Sequence, residues 1–169
     1  QTDTDFGTAS FIIDDTNAEN RTSHIFWVSS ELKTYIPIGV TSLKKNQTKI
    51  DLPEPGNYII TVTDTSVRRY IRYGLNQNSG RPQTDIFIVD KEGMVDMGAP
   101  IVWDFDQITE ITAIPIDEKP LYLKGGYFTT IANQAESRYN YHSRGIAIRR
   151  SNVRIDAIEH RVTGEGDHG

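Results

Sequence analysis

The stretch "GIAIRRSNVRIDAIEHRV", Gly145 to Val162, delivers three apolar pulses in rapid succession. Ile146 alternates with Ile148 and Val153 with Ile155, and Ile158 and Val162 follow after bends. A period of two is the mark of a strand that buries one face. The links between these pulses are as short as Ser151-Asn152, which leaves little room for hairpins that reverse direction with a clean register. Two architectures accept such strands. One is a parallel solenoid, where each coil stacks on the next around a continuous core; the other is an antiparallel sandwich. Asn152 suits a tight corner, because asparagine tolerates left-handed backbone better than most residues.

The same texture begins near Pro100, with "IVWDFDQITEITAIPI" and then "LYLKGGYFTTIA", where Leu121 and Leu123 share a face. In the first half, Ser10 to Ile13, Ile25 to Val28, Tyr35 to Val40, Tyr58 to Thr63 and Asp85 to Val89 read as strands. In the fourth of these, Tyr58, Ile60 and Val62 form one face, opposite Ile59, Thr61 and Thr63. "LPEPGN", "NQNSGRP" and "DKEG" are turn-forming punctuation. Helical periodicity is nearly absent, and the two candidate segments, Ser66 to Tyr73 and Asn133 to Tyr139, lack an apolar stripe.

At 169 residues the chain can fill one substantial core or two small ones. Its net charge of −5 disfavours nucleic acid and anionic membranes as partners. The absence of cysteine excludes disulfides, zinc-thiolate sites and thiol nucleophiles. No apolar run approaches the roughly 20 residues of a membrane-spanning helix. The polar opening "QTDTD" is like the residues that follow a removed leader, so export is expected. Phosphate-binding loops, nucleophile elbows and dinucleotide fingerprints do not occur.

The rung "LYLKGGYF" at Leu121 to Phe128, together with "GIAI" and "SNVRID" between Gly145 and Asp156, resembles the right-handed parallel β-helix proteins of the pectate-lyase-like superfamily, especially those of polysaccharide-using bacteria. The resemblance covers the last 50 to 70 residues of the sequence, about two or three coils. It implies an all-β chain with a β-helix over residues 100–169, continuing past the given sequence, and a β-rich cap over residues 1–99. It also implies a secreted, periplasmic or surface protein that recognises a polysaccharide. Degradation by uronate lyase or glycoside hydrolase chemistry is the enzymatic form of that reading. The alternative is a non-catalytic adhesion, structural or tailspike-like module. The paired-Asp motif of the hydrolases is not present, so no catalytic residue is carried over.

Several clusters are candidate sites. "ESRYNYHSR", Glu136 to Arg144, offers Tyr139, Tyr141 and His142 for stacking on sugar rings, and Arg138 and Arg144 as forked donors to uronate or sulfate. The alternative is that the tyrosines fold back as cover. "GEGDHG", Gly164 to Gly169, presents Asp167 and His168, with His168 a candidate general acid or base; it also reads as a plain polar turn. His160 is a third catalytic candidate. With Asp156 and Glu159 it suggests a metal site, but three convergent donors are needed and none is assigned. Hard-oxygen chemistry would admit Ca2+ at Asp156, Glu159, Glu165 or Asp167, without the spacing of a dedicated loop, so no cofactor is expected. "SVRRYIRYG", Ser66 to Gly74, interleaves Arg68, Arg69 and Arg72 with Tyr70 and Tyr73, and reads as a strand with one charged face.

Overall fold

The computed structural model describes residues 2–20, 22–133 and 144–165, and all regular elements among them are strands. In chain order these are β1 (Thr4–Asp5), β2 (Ser10–Asp14), β3 (Phe26–Ser29), β4 (Tyr58–Arg69), β5 (Arg81–Val89), β6 (Glu110–Pro115), β7 (Leu121–Lys124), β8 (Tyr127–Ile131), β9 (Ile146–Arg149), β10 (Val153–Asp156) and β11 (Glu159–Thr163). They fall into two compact units. Gln1–Glu31 joins Asp117–Gly169 in the first, and Leu32–Ile116 forms the second. The expected division between residues 99 and 100 falls within the second unit. The stretch from Ile101 to Ala113 supplies core residues to the second unit, while the N-terminal residues belong with the C-terminal strands. Alternation identifies the faces of a strand and says nothing of its partner, which is why the insertion was invisible to it.

Among the described residues of the first unit all strand pairings are parallel. β7 lies between β1 and β10, β8 lies between β2 and β11, and β3 pairs with β9. Successive passes of the chain thus contribute one strand each to the same sheets. The register sets Leu121 beside Val153 and Leu123 beside Ile155. It also aligns Phe11, Phe128 and His160 in one row, and Ile13, Thr130 and Val162 in the next.

The middle strands show the alternation most cleanly, with Leu121, Leu123, Phe128 and Thr130 buried and Tyr122 and Tyr127 exposed. Flanking strands are covered on one side only. Ile148, Ile155 and Val162, expected as core, are consequently 37%, 50% and 38% exposed. Phe11 and Phe128 stack at 4.8 Å with an interplanar angle of 10°, which is the spacing of neighbouring strands. Phe6 and Phe26 meet Phe128 edge-on at 5.2 and 5.7 Å.

The corners are made by left-handed backbone. Asn152 has φ 54°, as its sequence context predicts, and Ala157 has φ 52° between β10 and β11. Gly125, at φ 69° between β7 and β8, is packed so closely on the Gly7 carbonyl that no side chain fits.

In the second unit β4 is the centre of an antiparallel sheet, with β5 and β6 on either side. Tyr58, Ile60 and Val62 point into a core with Phe87, Phe105 and Ile101, the face their alternation predicts. Tyr35 to Val40 does not form the expected strand. It makes a single bridge, Tyr35 to Ala113, because Pro37 lacks an amide donor and Gly39 turns the backbone at φ 107°. Beyond Thr63, β4 continues through a bulge between Asp64 and Arg68, so the Ser66 to Tyr73 segment is strand as far as Arg69.

At that bulge the Asp64 carboxylate accepts from the Ser66 hydroxyl at 2.6 Å and from the Ser66 amide at 2.8 Å. These two bonds, the hydroxyl first, hold its pKa below the usual carboxylate value. The folded chain therefore binds this proton less readily than the unfolded chain. The stabilisation is complete above the ordinary Asp range and disappears as pH falls through the lowered folded value. Asp64→Asn is expected to flatten the loss of stability in roughly the pH 5 to pH 2 range, measured by denaturant midpoints at stepped pH; an unchanged acid limb would refute the assignment.

The register of the first unit yields a paired test. Phe128→Ala is expected to cost about 3–5 kcal/mol, while the adjacent and outward Tyr127→Ala costs under about 1 kcal/mol, in equilibrium unfolding. Equal losses at the two positions would contradict the alternation of β8.

Candidate functional site

The outer face of the β3–β9 sheet carries a cluster that sequence reasoning missed. Phe26 faces Phe128, so the next residue, Trp27, stands on the opposite face, where it is 53% exposed. Its register partner in β9 is Ala147, whose methyl group leaves the indole unobstructed by its neighbour. Arg149, two residues further along the same face, places its guanidinium 4.4 Å from the Trp27 ring centroid. His24 approaches the indole edge-on at 4.9 Å and 75°. A flat apolar ring is thereby flanked by a forked cation and by an imidazole that both donates and accepts hydrogen bonds. The legible signal was the pair Trp27 and Arg149 at outward positions, but their adjacency depends on a parallel pairing across more than a hundred residues.

A smaller version occurs on the β1–β7–β10 sheet. Tyr122 is 41% exposed, and its register partner Arg154 holds its guanidinium 5.4 Å from the ring. Both clusters can stack on a sugar ring and direct a cation at an anionic substituent.

Arg144, expected to meet a ligand, is held within the protein. Its Nε donates to Asp15 Oδ2 at 2.6 Å, and its Nη1 donates to Ser23 Oγ at 2.6 Å and to the Asn20 carbonyl at 3.3 Å. The ion pair is largely buried, with side chains 19% and 7% exposed. It fastens the connection between β2 and β3 to the segment that enters β9. His160, a catalytic candidate, takes the inward position in register with Phe128, and its Nε2 meets Thr130 Oγ1 at 2.9 Å. Its ring helps line a small apolar cavity with Ile13, Phe26, Phe128 and Ile146.

Arg138, Tyr139, Tyr141, His142, Asp167 and His168 lie outside the described residues. Among the described residues no three His, Asp or Glu side chains are grouped to hold a metal ion, the Asp156, Glu159 and His160 set included. No helix among them is long and apolar enough to cross a membrane.

Removing the Arg144 side chain takes from the buried Asp15 carboxylate a charged hydrogen bond of 2.6 Å. Arg144→Ala is expected to destabilise the chain by about 3 kcal/mol or more in urea unfolding, with Arg144→Lys recovering part of the loss. A loss below about 0.5 kcal/mol would show that the pair contributes nothing to the fold. No family model, curated protein or solved structure matches this chain.

Proposed function

We propose that this chain is a polysaccharide-recognising protein of the parallel β-helix class, resembling the pectate-lyase-like superfamily, and that it acts outside the cytoplasm. One observation carries the reading: β1, β7 and β10, and likewise β2, β8 and β11, pair in parallel and in register over successive passes of the chain. Parallel strands in register give outward-facing rows of side chains at strand spacing, and such rows suit an extended polymer of repeating units.

The Trp27 cluster is the glycan platform in this proposal. The indole supplies a stacking surface, Arg149 a bidentate donor for a carboxylate or sulfate, and His24 a partner for hydroxyls. The Tyr139, Tyr141 and His142 segment, which precedes β9 in the sequence, and the Asp167-His168 pair remain part of the proposed recognition surface. The enzymatic form of this reading is lyase or hydrolase chemistry on the bound polymer.

Binding of the full chain to a panel of neutral and acidic polysaccharides, measured by affinity electrophoresis and calorimetry, tests the reading. Trp27→Ala is expected to weaken binding about 10-fold or more with the melting temperature unchanged, because the indole is exposed and outward. Absence of binding across the panel, or binding indifferent to Trp27→Ala, would sink the assignment. Ultraviolet absorbance of an unsaturated product on uronate polymers separates a lyase from a binding protein.

A further inference from the structure

The second unit carries a feature that the proposed platform does not use. β4 and β5 form a hairpin whose tip, residues 70–79, is exposed throughout. Residues 65–84 contain four arginines and no acidic residue, which leaves 14 basic against 23 acidic residues in the rest of the chain. All positive charge in this element is arginine, the side chain whose planar fork matches carboxylate and sulfate geometry.

The four are not equivalent. Arg69 braces the base of the hairpin: its Nε and Nη2 donate to Gln83 Oε1 at 2.9 and 2.6 Å, and its guanidinium lies 4.2 Å from the Trp103 ring centroid. Gln83 in turn donates to the Asp104 carbonyl at 2.8 Å. Arg68, Arg72 and Arg81 are exposed and form no salt bridge among the described residues. Between them Tyr70 and Tyr73 are 76% and 81% exposed.

The tip is also ordered for contact. Arg72 and Asn78 form a bridge across it, and the Gly80 amide donates to Asn78 Oδ1 at 2.9 Å. Tyr70 is held at φ 54°, a left-handed conformation that a bulky residue adopts only under constraint, with its ring in solvent. Exposed tyrosines, unpaired arginine forks and the neutral amides of Asn76, Gln77 and Asn78 together suit a polymer of rings bearing both hydroxyls and carboxylates. A duplex or long single strand of nucleic acid calls for more phosphate contacts than three guanidiniums supply, against the negative balance of the remaining chain.

We propose that the β4–β5 hairpin tip is a second binding element, specific for acidic polysaccharide, that presents Arg68 and Arg81 on opposite faces of the ribbon, with Arg72 at its end, to the carboxylates of the polymer. The choice of a glycan rests on the reading of the first unit; the basic and aromatic tip stands independently of it. The test uses the full chain, polygalacturonate, its fully methyl-esterified form and single-stranded DNA, with binding measured by calorimetry and salt titration.

The triple variant Arg68→Gln, Arg72→Gln, Arg81→Gln is expected to lose about 30-fold or more in polygalacturonate affinity with an unchanged melting temperature, since Arg69 is left in place. Tyr70→Ala with Tyr73→Ala should weaken both pectin forms, and esterification alone should reproduce the loss seen in the triple variant. Equal binding of the two forms, indifference to the triple variant or tighter binding of DNA would each overturn the proposal. Trp27→Ala keeps the two readings apart: loss only with the hairpin variants supports the tip and rejects the platform, while loss only with Trp27→Ala does the reverse.

Discussion

The stacking of Phe11 on Phe128 at 4.8 Å expresses the constraint on which the first unit depends. Two rings at that spacing in a nearly parallel orientation require neighbouring strands in matching register, and here the two strands run in the same direction. Any slip by one residue would put Phe128 on the outer face and Tyr127 inside. In the other two sheets of this unit, parallel registers of their own place Leu121 and Leu123 in the interior and set Trp27 outside with Ala147 as its neighbour. Exposed clusters on this unit therefore inherit their geometry from the parallel registers of their own sheets.

Polar groups fix what the apolar rows leave open. The Arg150 side chain is 4% exposed; its Nη2 donates to the Lys119 carbonyl at 2.6 Å and lies 3.4 Å from Asp117 Oδ1. Asp117 also accepts from the Ser30 hydroxyl at 3.1 Å, its amide donates to Ser151 Oγ at 2.6 Å, and the Asn152 side-chain amide donates to its carbonyl. A buried pair of this kind gains little over apolar packing, yet loss of either partner is costly. Its value here is positional, because it holds Asp117, which the Ser30 hydroxyl reaches from the other side of the inserted unit.

Local rules were legible where the answer was local. Asn152 at φ 54° follows from the short link it occupies, and the buried face of Tyr58, Ile60 and Val62 follows from alternation alone. The all-β class follows from the missing helical periodicity. Partnership was not legible. Ile155 and Val162 alternate as well as Leu123 does, but they lie on edge strands and keep half or more than a third of their surface in solvent. Arg144 has the chemistry of a ligand-binding residue, and nothing near it in sequence announces Asp15. Trp27 and Arg149 were both visible as residues, and invisible as neighbours.

The inserted unit occupies one connection of the parallel arrangement. β3 ends at Ser29 and the chain returns to the same unit at Asp117, with the Ser30 hydroxyl bonded to the Asp117 carboxylate. As a flexible loop, Leu32–Ile116 would make every later pairing close a long span, with an entropic cost that grows as about (3/2)RT ln n. The inserted unit has its own sheet and its own core, so its folding can bring residues 31 and 117 together before β7 seeks β1. A parallel connection needs a crossover in any case. A self-folding crossover makes distant strands kinetically near, and the Ser30, Asp117 and Arg150 network then holds the junction closed.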